Sequence, residues 1–146
     1  MIHTDRTVVP HAVSEQSLAT LEPSATVVEA ARMMAYLRIG ALMVVEGERL
    51  VGIFSERDAL TRVVAKEKDP ATTLVSEVMT PDPVTIVPET TVQRALDIMA
   101  EKGFRHLPVV EEDRIVAIVS IRDLYRSVKD QMETDILLLA ETLLQG

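Results

Sequence analysis

The chain has 146 residues, of which 47% are hydrophobic and 26% charged. This balance is typical of one globular domain, or of two small units that share a core, and is too apolar for a disordered chain. The formal net charge of −8 argues against nucleic-acid binding, and the lack of cysteine excludes disulfides and thiolate metal sites. No apolar run approaches the roughly 20 residues of a membrane span, and no secretory signal is visible. We therefore expect a soluble, cytoplasmic protein without a membrane partner.

An internal repeat organises the sequence. Shifting the chain by 65 positions aligns residues 19–63 with residues 84–128 without a gap, and 18 of the 45 aligned positions are identical. A unit of about 60 residues is marginally stable alone, so two copies are expected to bury their exposed faces against each other. The duplication is the basis of every later expectation.

Each copy contains the same predicted elements in the same order. A short extended segment ends at Pro23 or Pro88, and a helix with 3.6-residue periodicity follows. Two strand-like runs separated by a polar turn come next, at 41–45 and 50–55 in the first copy and at 106–110 and 115–120 in the second. A second helix closes each copy, so the unit reads β-α-β-β-α. Thr26 is a predicted N-cap, with Glu29 completing a capping box.

The predicted domain organisation follows from the repeat. Residues 1–16 are expected to form a loose N-terminal tail, 17–65 the first domain, 66–81 a linker with a short helix stopped by Pro81, and 82–130 the second domain. Residues 131–146 should continue the last helix. An apolar stripe along that helix either packs on its own domain or forms a dimer contact, and the sequence leaves both open.

The duplicated unit, ending in G-I-F-S-E-R-D (52–58) and A-I-V-S-I-R-D (117–123), resembles a pair of CBS domains. This arrangement, also called a Bateman module, is named after cystathionine β-synthase. The resemblance covers about residues 17–130 and implies a stand-alone, bacterial-type protein of the α/β (α+β) class with two pseudo-symmetric units packed through their sheets. It also implies a sensor of adenosine compounds such as AMP, ADP, ATP, NAD or S-adenosylmethionine, bound in clefts between the repeats.

The S-x-x-D spacing at the start of each closing helix has two interpretations. In the structural one, Ser55 and Ser120 are N-caps and Asp58 and Asp123 cap back, which stabilises each helix by about 1 kcal/mol without a ligand. In the functional one, the helix N-terminus directs free N–H donors at a phosphate, and the aspartate accepts both hydroxyls of a ribose. The resemblance favours the second, because the matching aspartates hold ribose in that family.

The other candidate ligand contacts follow from the same alignment. Gly40 and Ala41 leave space for a base, with Ile39 and Leu42 as apolar neighbours. Arg105 and His106 replace the small pair in the second copy, where similar basic residues of the family contact phosphate. The full set of predicted nucleotide-binding residues is Thr20, Ile39, Gly40, Ala41, Ser55, Arg57, Asp58, Thr85, Arg105, His106, Pro108, Ser120, Arg122 and Asp123.

The two copies also differ in ways that bear on affinity. Ala117 replaces Gly52, so the second cleft is expected to be tighter, and the M-T-P sequence that precedes the second copy is missing before the first. The two sites should therefore bind ligand with different affinities.

The sequence leaves three functions to distinguish. The favoured one is a nucleotide sensor that forms a homodimer and signals to an unknown regulated protein by a conformational shift. It needs no cofactor and no metal besides the regulatory ligand. The alternative is a structural adaptor in which the capping boxes only cap. An enzyme is not expected, because no catalytic motif and no convergent catalytic set is visible.

Overall fold

The computed structural model describes residues 6–14 and 18–145. The chain divides into two compact units. One comprises Ser17–Val84 with Glu112–Ile115, and the other comprises Met1–Gln16, Thr85–Glu111 and Val116–Gly146. Strands and helices mix within the chain, which confirms the predicted α+β class.

The first repeat has the predicted order of elements, followed by a short helix and strand. Thr26 caps its first helix by accepting a hydrogen bond from the Glu29 amide at 3.2 Å. Four strands form one sheet in the order β1-β2-β3-β4, with β1 parallel to β2 and the other pairs antiparallel. The elements are β1 (Thr20–Leu21), α1 (Val27–Leu37), β2 (Ala41–Glu46), β3 (Arg49–Ser55), α2 (Glu56–Asp58, continued by the wider turns of Ala59–Val64), α3 (Val75–Val78) and β4 (Thr80–Pro81).

The linker differs from the expectation at one point. The helix α3 ends at Val78, and Pro81 does not stop it, because Thr80 and Pro81 already form β4. Thr80 pairs with Ile53 and Pro81 with Gly52, so the end of the linker adds an edge strand to the first repeat. Proline is tolerated at such an edge because its missing N–H need not face a partner strand.

The second repeat contains α4 (Val92–Lys102), β5 (His106–Glu111), β6 (Arg114–Ser120) and α5 (Ile121–Gln145), and β5 pairs with β6. In place of a full first strand, Ile86 makes a single parallel bridge to Val109. This is the pairing that Leu21 makes with Val44 in the first repeat, displaced by 65 residues. The repeat in sequence is therefore a repeat in backbone pairing.

The described N-terminal residues are not loose. Val8 is fully buried, and its amide donates to the Thr90 carbonyl at 2.8 Å. The Arg6 carbonyl accepts from the Val92 amide at 2.8 Å, at the start of α4. The linker makes the matching contact in the first repeat, where the Thr73 carbonyl accepts from the Val27 amide at 2.9 Å. In each repeat, a segment outside the aligned region is hydrogen-bonded to the start of the first helix. That segment is the linker in the first repeat and the N-terminal residues in the second. His3 lies outside the described residues.

The last helix, α5, is buried only near its beginning, at Leu124 and Ser127. The large apolar side chains from Met132 onward are exposed. The interpretation that the apolar stripe packs on its own domain is therefore wrong beyond the first turns of α5. Among the residues that the structure describes, no helix is both long and apolar enough to cross a membrane.

We predict that Val8→Ala lowers the free energy of unfolding by about 2 kcal/mol, because the substitution leaves a cavity beside α4. Val87→Ala is the matched control in the same unit, since Val87 is exposed and its truncation should change stability little. Urea denaturation followed by circular dichroism measures both. Equal stability of the two variants would contradict a packed N-terminal segment.

Candidate functional site

The corner between β3 and α2 is closed by a reciprocal hydrogen-bond pair. The Ser55 amide donates to Oδ2 of Asp58 at 3.0 Å, and the Asp58 amide donates to Oγ of Ser55 at 3.2 Å. The next amide, of Glu56, donates to the Gly40 carbonyl at 2.9 Å. The corner is thereby attached to the turn that precedes β2, and Asp58 remains only 8% exposed.

The second repeat has the same corner 65 residues later. The Ser120 amide donates to Oδ2 of Asp123 at 2.9 Å, and the Asp123 amide donates to Oγ of Ser120 at 3.1 Å. The Ile121 amide donates to the Arg105 carbonyl at 2.9 Å. Asp123 is half-buried. The structural interpretation of the S-x-x-D spacing is therefore correct in both copies, and it leaves ligand binding as a separate question.

Most of the N–H groups that were expected to be free donors at these helix starts are already bonded within the protein. In the first corner the amides of Ser55, Glu56 and Asp58 all donate within the protein. A helix start whose amides are already used offers little to an anion. A phosphate at either corner would therefore rely chiefly on side chains, and Arg57 and Arg122 are exposed one residue before the aspartate of their corner.

The neighbouring strands place the remaining candidates of the first repeat around the corner. Ala41 pairs with Ser55 across β2 and β3, and Thr20 pairs with Met43 on the other side of β2. Thr20 and Ser55 thus lie on the two strands flanking β2. They are separated by two strand spacings across the sheet and by two residues along it, which is about 12 Å. Ala41 is buried and Gly40 half-buried, whereas Ile39 is 36% exposed.

The corresponding residues of the second repeat have different exposure. Arg105 is exposed directly before β5, His106 begins that strand half-buried, and Pro108 is buried. The Ile86 amide donates to the Pro108 carbonyl at 3.0 Å, so the exposed Thr85 lies beside β5. The backbone carbonyl of Arg105 holds this residue at the Ser120–Asp123 corner while its side chain is exposed.

Sequence reasoning missed one residue at the first corner, Arg62. Its Nε lies 3.7 Å from Oδ1 of Asp58, and its Nη1 donates to the Met79 carbonyl at 2.8 Å. The side chain thus connects the carboxylate to the residues just before β4. The i,i+4 spacing of Asp58 and Arg62 on one helix was a visible signal for this ion pair.

The same position in the second repeat is occupied by Ser127, which is buried. Its carbonyl accepts a hydrogen bond from Nη1 of Arg6 at 3.1 Å, and its Oγ lies 3.3 Å from the same atom. Serine carries no charge, so position 127 cannot give Asp123 the ion pair that Arg62 gives Asp58. The two carboxylates therefore differ in charge environment although their capping bonds are the same.

A second difference concerns Gly52. A Cβ built there would overlap Sδ of Met79 and lie 3.0 and 3.1 Å from its Cγ and Cε. The side chain of Met79 thus occupies the space that the glycine leaves on β3. In the second repeat the position holds Ala117, which is buried. The packing of the linker residue Met79 explains why position 52 is glycine. That the second cleft is tighter than the first stays a prediction.

The described residues contain no group of three or more histidine, aspartate or glutamate side chains that could hold a metal ion. The chemistry of both corners is that of a carboxylate acceptor flanked by an exposed arginine. Such a set favours recognition of a hydroxyl-bearing, anionic small molecule.

Comparison with known proteins identifies the repeat. The family model for the CBS domain matches residues 12–65 and 75–130. The Arabidopsis thaliana protein CBSCBSPB5, described as CBS domain-containing, is 41% identical over 103 residues, which are 70% of this chain and 19% of that protein. The chain thus spans about a fifth of the length of this relative.

Solved structures agree with the family match. A protein with CBS domains from Burkholderia ambifaria superposes with a TM-score of 0.79 at 32% identity, covering 84% of this chain and 93% of the other. CBSX2, solved in complex with AMP, has a TM-score of 0.72 at 23% identity, covering 86% and 97%. At that identity the likeness of CBSX2 shows the fold alone. The names of these three proteins refer to CBS domains and to no enzymatic activity.

We predict that Gly52→Ala lowers the free energy of unfolding by about 1–3 kcal/mol, because the new methyl group must displace Met79. The double variant Gly52→Ala/Met79→Ala should lose less unfolding free energy than the two single variants lose together, because removing the Met79 side chain removes the overlap. Additive losses, measured by urea denaturation, would contradict the proposed packing.

Proposed function

Because the chain belongs to the CBS domain family, we propose that it is a regulatory module whose two corners bind an adenine nucleotide of the AMP, ADP, ATP or NAD type. One observation carries the proposal: both repeats hold an aspartate at the strand-to-helix corner, protected from full exposure and oriented by its own capping bond. CBS pair proteins are regulatory, and CBSX2 was solved with AMP bound. These facts support the ligand class.

The carboxylates of Asp58 and Asp123 have the capacity that a ribose requires. In each, Oδ2 accepts a hydrogen bond from the capping serine amide. An ionised carboxylate has about four acceptor positions, so two adjacent hydroxyls can still donate to it. The capping bond fixes the side chain before a ligand arrives, which lowers the conformational entropy lost on binding.

The rest of the nucleotide would contact neighbouring groups in the same repeat. Arg57 and Arg122 are exposed next to the aspartates, and their side chains can bind phosphate oxygens. The exposed part of Ile39 offers an apolar surface to the base beside Gly40 and Ala41. Thr20 would supply a hydroxyl. In the second repeat Arg105, His106, Pro108 and Thr85 would play these parts.

Arg62 gives the first corner a route by which binding could be signalled. A ribose at Asp58 competes with Arg62 for Oδ1, and the same arginine holds the Met79 carbonyl. Loss of the ion pair would therefore change the restraint on the linker residues before β4. A ligand shifts a conformational equilibrium only through such differential contacts. We further propose that the module acts as a homodimer toward a regulated protein.

We predict that Asp58→Asn and Asp123→Asn each weaken nucleotide binding at their own corner about 10- to 100-fold, the effect of losing hydrogen bonds to a charged acceptor. Asparagine keeps an oxygen for the capping bond, so the helix start is preserved. Isothermal titration with AMP, ADP, ATP and NAD measures the affinities, and the exposed Asp82→Asn is the control with the same change in charge.

The structural-adaptor alternative makes the opposite prediction. It requires that no adenosine compound binds or raises the melting temperature of the unmodified protein. The aspartate variants would then change stability and nothing else. Unaltered affinity in both single variants and in the double variant would remove the aspartates from the ligand site.

We predict that Arg62→Ser, which installs the residue found at position 127, tightens binding at the Asp58 corner up to about fivefold, because a surface ion pair is worth at most about 1 kcal/mol. The change is made together with Asp123→Asn, so that one corner is titrated. Arg32→Ser, another exposed helical arginine, is the control for charge. Equal or weaker affinity after Arg62→Ser would contradict competition between Arg62 and the ribose.

A further inference from the structure

The two corners differ in charge at the positions that their hydrogen bonds join. Each corner consists of five residues: the one whose carbonyl accepts the backbone hydrogen bond, the capping serine, the two residues after it and the aspartate. The serine, the arginine and the aspartate are the same in both corners. The other two positions hold Gly40 and Glu56 in the first corner and Arg105 and Ile121 in the second. Both differences make the second corner more positive than the first.

The residues that differ are in direct contact through the backbone at each corner. The Glu56 amide donates to the Gly40 carbonyl at 2.9 Å, and the Ile121 amide donates to the Arg105 carbonyl at 2.9 Å. Glu56 and Arg105 are both exposed, so both can stay charged. The first corner therefore carries two carboxylates and one arginine, a net charge of −1. The second carries two arginines and one carboxylate, a net charge of +1.

The next charged residues along the chain do not cancel this difference. Each repeat adds one exposed basic residue shortly before its strand pair and one in the turn of helix after the aspartate. They are Arg38 and Arg62 in the first repeat and Lys102 and Arg126 in the second. The carboxylate of Glu101, next to Lys102, lies 3.7 Å from Nη1 of Arg94 and is paired there. The difference of two charges between the corners therefore remains.

Resting on the proposed function, we infer that the two corners select adenine nucleotides by the number of their phosphates. The Asp123 corner takes a polyphosphate such as ADP or ATP, whereas the Asp58 corner takes a monophosphate. Arg105 and Arg122 can bind separate phosphate groups by charge-assisted hydrogen bonds. In the first corner Glu56 lies beside the one matching arginine and repels each further phosphate.

Titration of one corner at a time measures this selectivity. Asp123→Asn leaves the first corner to be titrated with AMP and ATP, and Asp58→Asn leaves the second. Divalent cations are omitted because they would neutralise the phosphates. We expect the ratio of ATP affinity to AMP affinity to be at least about fivefold higher at the Asp123 corner, since two unit charges act on the added phosphates through screening solvent. Raising the ionic strength from about 0.1 M to about 1 M should reduce the difference, because the Debye length falls from about 10 Å to about 3 Å.

Single neutralising substitutions test whether these charges cause the selectivity. Arg105→Gln should lower the ATP to AMP ratio at the second corner about threefold or more, and Glu56→Gln should raise it at the first by a similar factor. Arg114→Gln and Glu48→Gln are the controls with the same changes in charge. Both control residues are exposed at the far ends of the strands that lead into the corners, so they should change the ratios much less.

The outcomes separate this inference from the proposed function. Equal ratios at the two corners, or equal effects of Arg105→Gln and Arg114→Gln, would overturn the selectivity while leaving nucleotide binding in place. If neither corner bound any adenine nucleotide, the proposed function would be refuted and the selectivity with it.

Discussion

The structure depends on one hydrogen-bonded motif that occurs in both repeats. In this motif a serine and an aspartate three residues apart cap the same helix start reciprocally. The amide that follows each serine donates to the carbonyl of the residue just before the strand pair that ends at that serine, which is Gly40 or Arg105. A buried carboxylate is costly unless its oxygens are satisfied, so the capping bond is what permits Asp58 to lie in the protein interior. Structural and binding roles of the aspartate are thus compatible, because the same bond that stabilises the corner also orients the other carboxylate oxygen.

Backbone pairing could be predicted from the duplication because contacts inside a repeat are local in sequence. The strands, the capping boxes and the equivalence of Leu21–Val44 with Ile86–Val109 all follow from one 65-residue shift. The position of Val8 could not be predicted in this way. Its partner Thr90 is distant along the chain, and the N-terminal residues show no periodicity that specifies a face. Most amides at the two helix starts are bonded within the protein, which became visible only once their hydrogen-bond partners were assigned.

The differences between the copies are where the sequence was least informative. The space at Gly52 is explained by Met79, which belongs to the linker and is not part of the aligned repeat. Arg62 and Ser127 occupy equivalent positions yet bond to different segments, the first to the Met79 carbonyl and the second to Arg6. Alignment of the two copies shows that these residues differ, but only the folded structure shows what each one contacts.

Chain connectivity explains why a duplicated protein acquires two unequal corners. Each repeat is completed by a segment outside the alignment: the linker for the first and the N-terminal residues for the second. These segments are unrelated in sequence, so the surroundings of Asp58 and Asp123 diverge although their capping bonds do not. Arg62 contacts both the Asp58 carboxylate and the carbonyl of the linker residue Met79, whereas the uncharged Ser127 cannot form an ion pair with Asp123. Under the proposed function, a nucleotide at Asp58 would act on the linker through Arg62, whereas a nucleotide at Asp123 would have no such connection.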